Sequence, residues 1–284
     1  HCRNSAYNSM RKHKGSYMDL NQNVNENVDT GTLRIHLTNE SNGTPVQGAK
    51  ISISYTGNPS QTIEEVSADD SGNSEELTLN APPLEYSMEP SEEQPYAEYT
   101  IRVQAPGYRD ITVSAINVLP GETAIQNVRM EAEDAPGDRI DMVVIAAHTL
   151  YAEYPPKIPE DEIKPMNESG EIVLSRVVIP EYIVVHDGAP GDTTASDYYI
   201  RYRDYIKNVA SSEIYATWPD AAIRANVLAI MSFTLNRVYT EWYRGKGYNF
   251  TITSSTAYDH KFIYGRNYFQ SISRVVDEMF ENYL

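Results

Sequence analysis

Between residues 31 and 130, apolar side chains recur at every second position in short runs, and each run is closed by a turn cluster. Leu33, Ile35 and Leu37 alternate with Arg34, His36 and Thr38, and Ile51, Ile53 and Tyr55 alternate with Ser52 and Ser54. Thr100–Val103 and Ile111–Val113 repeat the pattern. Asn42-Gly43, Gly57-Asn58-Pro59, Asp70-Ser71-Gly72-Asn73 and Pro120-Gly121 punctuate it. Successive strand residues point to opposite faces, so a two-residue period gives each run one dry and one wet face. Several short strands of this kind bury their dry faces by packing two sheets together. The expectation for 31–130 is an all-β sandwich.

The last third changes period. Ser196 and Asp197 are placed to cap a helix running toward Ile214. Along it Tyr198, Tyr202, Tyr205 or Ile206, Val209 and Glu213 fall three or four apart. Glu213 therefore shares the apolar stripe, where a carboxylate is costly unless it has partners or a use. Trp218-Pro219 breaks the chain, and Pro219 suits the first turn of a second helix. Its stripe is Ile223, Val227, Ile230, Met231, Thr234, Val238 and Trp242, and Arg244-Gly245-Lys246-Gly247 closes it. A third helix, Tyr268–Tyr283, carries Ile272, Val275, Val276, Met279 and Phe280 on one face, a stripe that expects a further partner. The fold class is thus multidomain α+β: the sandwich, then a mainly helical domain from 196 to 284.

Residues 131–195 read as a linker with short strands. Glu131–Asp141 holds five acidic residues with Pro136 and Gly137, and reads as an exposed, cleavable hinge. Pro155-Pro156-Lys157-Ile158-Pro159 is stiff and extended. Ile172–Val178 and Ile183–Val185 are strand candidates. His186-Asp187-Gly188, following the second, reads as a plain turn rather than a catalytic pair. Residues 1–30, rich in Asn with almost no apolar spacing, read as a disordered leader.

Charge excludes one class of partner. The net charge is −17, and residues 31–142 carry nineteen Asp/Glu against six Lys/Arg. Such a segment repels phosphate backbones, so nucleic acid is not an expected partner. No stretch reaches the roughly 18 uncharged apolar residues of a membrane helix, and no charged-then-apolar leader opens the chain. Cys2 is the only cysteine, which leaves no internal disulfide and no cysteine-based zinc site. No cofactor motif is present.

Two resemblances follow from longer motifs. Gly43-Thr44-Pro45-Val46-Gln47-Gly48-Ala49-Lys50-Ile51, Asp70-Ser71-Gly72, Tyr99-Thr100-Ile101-Arg102-Val103 and Pro106-Gly107-Tyr108 resemble the carboxypeptidase-regulatory, transthyretin-like sandwich. These are turn and core residues, so the resemblance implies a structural, binding or inhibitory module. Tyr205–Ile214, Trp218-Pro219 and Ala221–Ile230 resemble the stage II sporulation protein D catalytic domain, a family of peptidoglycan lytic transglycosylases. Thr253–Asp259 and Phe262–Arg266 fit that family's second stretch. Tyr154–Asp161, Pro180–Gly188 and Tyr248–Thr253 resemble, more narrowly, the germination-specific spore cortex-lytic enzymes of anaerobic spore-formers. The sandwich, linker and lytic domain come in that family's order. Two departures stand out: His260 replaces an expected Gln, and the family's lytic domain runs well past residue 284. The resemblance therefore implies a C-terminally truncated copy, with 31–130 as pro-region and 196–284 as the first part of the lytic domain, and that such a copy does not cleave peptidoglycan by itself.

What the resemblance implies is an enzyme made as a zymogen in the spore cortex or coat region of a spore-forming bacterium. Its expected partners are peptidoglycan glycan strands and an activating serine protease. Glu213 is the expected catalytic acid/base; a helix-end Glu paired with Arg224 or Lys207 is the structural alternative. Tyr215, Trp218, Thr256, Tyr258, Asp259 and Tyr264 are the expected substrate-binding residues, with core packing open for the aromatics and loop orientation for Asp259. A water-using muramidase would need a second carboxylate, for which Asp220, Glu241 and Asp259 are candidates. A non-catalytic remnant, or a module that only binds peptidoglycan, is the alternative of another class.

Overall fold

A computed structural model describes residues 28–137, 140–159 and 178–283. The expected leader (all but its last three residues) and all but the last residue of the strand candidate Ile172–Val178 lie outside the described residues. Eight strands build the first half: β1 (Asp29–Asn39), β2 (Lys50–Tyr55), β3 (Thr62–Ser67), β4 (Leu77–Ala81), β5 (Ala97–Gln104), β6 (Ile111–Val118), β7 (Thr123–Met130) and β8 (Met142–Val144). They form two sheets, one in the order β3-β2-β5-β6-β8 and one containing β7-β1-β4. The two-residue period is realised as read: Leu33, Ile35, Leu37, Ile51 and Ile53 are all 0% exposed. At the Asp69–Asn73 turn, Asp69 Oδ1 accepts the N–H groups of Ser71 and Asn73 at 2.9 and 2.8 Å. Gly72 there has φ +76°, and a Cβ would sit 2.4 Å from the Leu37 carbonyl oxygen, so the turn needs glycine.

The second half holds β9 (Tyr182–His186), β10 (Asp197–Arg201), α2 (Tyr202–Glu213), α3 (Asp220–Tyr239), β11 (Ile252–Thr253), β12 (Tyr268–Phe269) and α4 (Gln270–Tyr283). One short helix, α1 (Glu85–Met88), belongs to the first half. The candidate strand Ile183–Val185 lies within β9. Ser196 and Asp197 do not cap a helix. Residues 197–201 pair antiparallel with β9, Asp197 facing His186 and Arg201 facing Tyr182. The reason is visible in retrospect: Tyr198 and Ile200 alternate with Asp197, Tyr199 and Arg201, and β9 offers an edge to which that period fits. The helical period starts only at Tyr202. The region is therefore helices laid over short strands rather than helices alone.

α3 buries Ile223, Val227, Ile230, Met231 and Thr234 as the stripe required, but it ends at Tyr239; Arg244–Lys246 is a separate 3₁₀ turn closed by Gly247 at φ +89°. The stripe on α4 does not await a partner. Ile272, Val275 and Val276 are 0% exposed and Met279 is 2% exposed, packed against α2, α3 and β7. The sequence could not show that the sandwich itself supplies part of this cover. β12 joins β7 antiparallel, extending the β7-β1-β4 sheet to four strands. Asn117 of β6 exchanges bonds with Asn267, its N–H donating to Oδ1 at 3.2 Å and its carbonyl accepting from Nδ2 at 3.1 Å. Sandwich and helices share one apolar core.

The hinge is laced to the sandwich. Arg109 pairs with Glu131 at 2.8 Å and donates to the carbonyls of Glu133 and Ala135. Beyond that, Glu133, Asp134, Pro136 and Gly137 are exposed. Limited proteolysis is expected to cut first between Met130 and Asp141, and the two pieces are expected to co-elute on size exclusion, since the β7–β12 pairing and the shared core lie outside the cut. First cuts inside 31–130 or 196–242 would contradict this.

Candidate active site

Glu213 closes α2. Tyr202, Tyr205, Ile206 and Val209 on the same helix are buried at 1% or less, which carries Glu213, one turn beyond Val209, to the edge of the core. Neither Arg224 nor Lys207 reaches it. Lys207 binds Asp277 at 2.9 Å, and Arg224 lies between Asp220 and Glu278. The partner is the backbone: the Lys261 N–H donates to Glu213 Oε1 at 2.6 Å. Burial raises the Glu213 pKa to about 7, opposed by this N–H and by the charge of Lys157.

The surroundings come from three separate segments. Lys157, from the proline-rich stretch, donates to the Tyr258 carbonyl at 2.5 Å and lies 4.8 Å above the Phe233 ring. The same stretch is held in place by Ile158 N–H on the Ala257 carbonyl at 2.7 Å and by Thr256 Oγ1 on the Pro155 carbonyl at 3.3 Å. His260 contacts Phe233 at 4.6 Å, and its Nδ1 is 3.4 Å from the Tyr205 hydroxyl. Burial lowers the His260 pKa to about 4, so the imidazole is neutral at pH 7. Lys261 places its ammonium 5.1 Å from the Tyr154 ring centroid.

Asp259 anchors the loop that brings Lys261 to Glu213. Its side chain is 0% exposed and accepts from Arg237 Nε at 2.8 Å, the Tyr243 hydroxyl at 2.6 Å, and both Thr253 N–H and Oγ1 at 2.9 and 2.7 Å. Asp259 thus orients the loop. Tyr215 is buried, stacked on His148 at 4.4 Å. Trp218 donates from Nε1 to the Ser87 carbonyl at 2.9 Å, and the neighbouring Thr217 hydroxyl bonds Ser87 Oγ at 2.8 Å. Both therefore face the sandwich. Tyr258 is half-buried behind Lys157. Tyr264 is half-buried and stacked on Tyr198 at 4.4 Å.

Among the other carboxylates, Asp220 is held by Arg274 and Arg224 at 2.5 Å each, which lower its pKa. Glu241 follows α3 with φ +44°. His186 is structural: Nδ1 meets Asp197 Oδ1 at 2.7 Å, Nε2 meets the Ala189 carbonyl at 3.2 Å, and the ring stacks on Phe250. The turn read there is present, with Gly188 N–H on the His186 carbonyl. Among the described residues no cluster of His, Cys, Asp and Glu could hold a metal, and no helix is long and apolar enough to cross a membrane. Lys157, Lys261, His260 and Tyr205 around Glu213 were not singled out from sequence as site residues. The nearest sequence signal was His260 in place of Gln.

No family model matches the chain, and no curated protein matches it. Solved structures resemble parts of it. The Bacillus anthracis TIE protein is 23% identical over 37% of this chain and 17% of that one, with a TM-score of 0.26. The minor pilin GBS52 of Streptococcus agalactiae is 13% identical over 39% of this chain and 48% of that one, TM-score 0.27. Klebsiella pneumoniae 5-hydroxyisourate hydrolase is 19% identical over 36% of this chain and 90% of that one, TM-score 0.24. The chain spans about a sixth of the first of these and about half of the second.

Proposed function

We propose that this chain is a peptidoglycan lytic transglycosylase zymogen of the spore cortex, with the sandwich as pro-region and Glu213 as its single acid/base. The observation that carries the reading is a carboxyl group whose burial raises its pKa to about 7, held by the Lys261 N–H and near the charge of Lys157, in the motif that resembles that family. One group then performs both proton transfers. Protonated Glu213 gives its proton to the glycosidic oxygen as the bond from C1 of N-acetylmuramic acid breaks. The resulting carboxylate takes the proton of the muramyl 6-hydroxyl, whose oxygen bonds to C1. The product is a 1,6-anhydro sugar, Glu213 is again protonated, and no water is consumed. The Lys261 N–H holds one carboxyl oxygen, leaving the other to carry the proton.

The test is incubation of the chain, intact and cut at the hinge, with cortex fragments, read by mass spectrometry. The burial of the α4 stripe removes one ground for expecting an inactive fragment, so anhydromuramyl product is expected from the cut form. A product heavier by one water, or no product, overturns the reading. The pH profile is a second check. The free enzyme must enter with Glu213 protonated, so kcat/KM is expected to stay level below about pH 7 and to fall about tenfold per pH unit above that. A rate that rises through pH 7 would contradict an acid at this position.

A further inference from the structure

The seam between the sandwich and the helical half encloses a cavity of about 630 Å³, within the usual range for small-ligand sites. Its walls come from β1 and β7 on the sandwich side and from β10, α2 and residues 262–268 on the other, and Glu213 is not among its lining residues. Two polar side chains that line it are deeply buried: Gln126 of β7 is 0% exposed and Arg266 is 3% exposed. Gln126 Nε2 donates at 2.9 Å to the carbonyls of Gly265 and Asn127, which fixes the amide. Its Oε1 receives no donor among the described residues. Arg266 Nη2 donates to Asn117 Oδ1 at 2.8 Å, while Nε and Nη1 find no acceptor among the described residues.

No counter-charge reaches this guanidinium. Burial lowers its pKa to about 10, opposed by Tyr96, Tyr154 and Tyr215. Burial in turn holds those three phenols above their ordinary range, so at pH 7 they are neutral and Arg266 is charged. The carboxylates that line the cavity are engaged with other cations: Glu131 with Arg109 at 2.8 Å, Glu40 with Arg129 at 3.6 Å, and Asp204 beside the exposed Arg201. A buried cation without a counter-charge is costly, and so is a buried acceptor without a donor. A trapped water would satisfy Gln126 Oε1 but brings no charge to Arg266. A ligand that satisfies both carries a negative charge for the guanidinium and a hydroxyl donor for the amide oxygen.

We propose that this cavity binds a small anion bearing a hydroxyl group, with Arg266 as its charge partner and Gln126 as the acceptor for its hydroxyl. The site is separate from Glu213 and does not depend on the transglycosylase reading. Gln126 precedes the hinge and Arg266 follows it, so a ligand that touches both ties the sandwich to the helical half across the expected cut. A ligand that binds the joined halves and not the separated ones stabilises the joined state by mass action. Occupation of the cavity therefore holds the cut chain together. A carboxylate and a phosphate monoester offer the guanidinium the same chemistry, and the two are separated by experiment.

The experiment is a calorimetric titration of the full chain, at fixed ionic strength in chloride, with glycerate, glycerol 3-phosphate, their deoxy counterparts propionate and propyl phosphate, and neutral glycerol. Glycerate or glycerol 3-phosphate is expected to bind about tenfold or more tightly than glycerol and more tightly than its own deoxy counterpart, and which of the two binds better identifies the anionic group. The better one is expected to raise the urea midpoint at which the hinge-cut halves separate. Arg266→Met is expected to abolish the preference for the anion, and Arg201→Ala, at the exposed rim, to keep it. Without ligand, Arg266→Met is expected to unfold at no lower urea concentration than the parent, because it removes a buried charge that has no counter-charge. A clear drop there would mean that Arg266 already has its partner, and would overturn the site. Equal binding of anions and glycerol, equal binding with and without the hydroxyls, an unchanged preference in Arg266→Met, or failure of every probe to bind also overturns it. The comparison of the anions with glycerol and with their deoxy counterparts uses the parent chain and does not depend on how the variants fold. None of these results bears on the anhydromuramyl assay of Glu213.

Discussion

Replacing Glu213 by Gln is expected to lower anhydromuramyl release from the hinge-cut chain by roughly 10²–10⁴-fold, the usual weight of a positioned acid–base group, while the protein stays folded. Gln keeps the oxygen that accepts the Lys261 N–H, so the loop remains in place. What is lost is the proton. The stability effect has the opposite sign. The folded-state pKa of Glu213, about 7, lies above its ordinary value of 4.5. The folded protein therefore binds the proton more tightly than the unfolded chain. The penalty for ionising this carboxyl grows as pH rises from about 4.5 to about 7 and is fully present above that. At pH 8 the Gln variant is thus expected to be more stable than the parent by about 1–3 kcal/mol, since one pKa unit corresponds to about 1.4 kcal/mol. At pH 4 the two are expected to unfold together. Near-parental turnover with the Gln variant would remove Glu213 from the mechanism. Equal stability at pH 8 would show that its carboxyl is not held in the protonated form.

The largest stability loss is expected at Asp259. It and Arg237 are buried together, with side chains 0% and 3% exposed. The guanidinium also lies 4.6 Å from the Phe233 ring centroid and 4.5 Å from that of Trp242. Asp259→Ala removes the carboxylate that Arg237 Nε binds and deprives Tyr243 and Thr253 of their acceptor. Breaking a buried pair from one side costs about 3–5 kcal/mol, to be read by urea unfolding. Replacing both members, as Arg237→Met with Asp259→Leu, is expected to cost less than the single change, because the buried cation is removed together with the carboxylate that it binds. A loss below about 1 kcal/mol for Asp259→Ala would mean that the network is not what holds the loop. Activity is expected to fall with Asp259→Ala as well, because residues 253–261 carry the N–H that seats Glu213.

The sandwich was legible because its signal is local. A two-residue period and glycine turns specify strands and a buried face without knowledge of any partner, and Leu33, Ile35 and Leu37 lie where that period puts them. The long helix α3 was legible for the same reason. Residues 197–201 were misread because Tyr198 and Tyr202 also fit a spacing of four, and only the presence of β9 decides between strand and helix. The α4 stripe was legible as an apolar face but read as waiting for cover, whereas α2, α3 and, from more than 140 residues earlier, β7 cover it.

Glu213 shows the same division within one residue. That it stands on an apolar helix face follows from the spacing of Tyr205, Val209 and Glu213, and this alone made it an unusual carboxylate. Its partner did not follow. Sequence offered Arg224 and Lys207, whereas folding pairs Lys207 of α2 with Asp277 of α4 and Arg224 with Asp220 of its own helix and Glu278 of α4. The group that binds Glu213 is a backbone N–H from a loop 48 residues away, held there by an Arg237–Asp259 pair whose members are 22 residues apart. Periodicity records which face of an element is dry, because each residue's direction is set by its own backbone. Sequence alone therefore determined the strands of the sandwich, the buried face of α3 and the apolar setting of Glu213. Tertiary structure alone decided the carboxyl's hydrogen bond and its raised pKa, because these depend on which distant segments pack together.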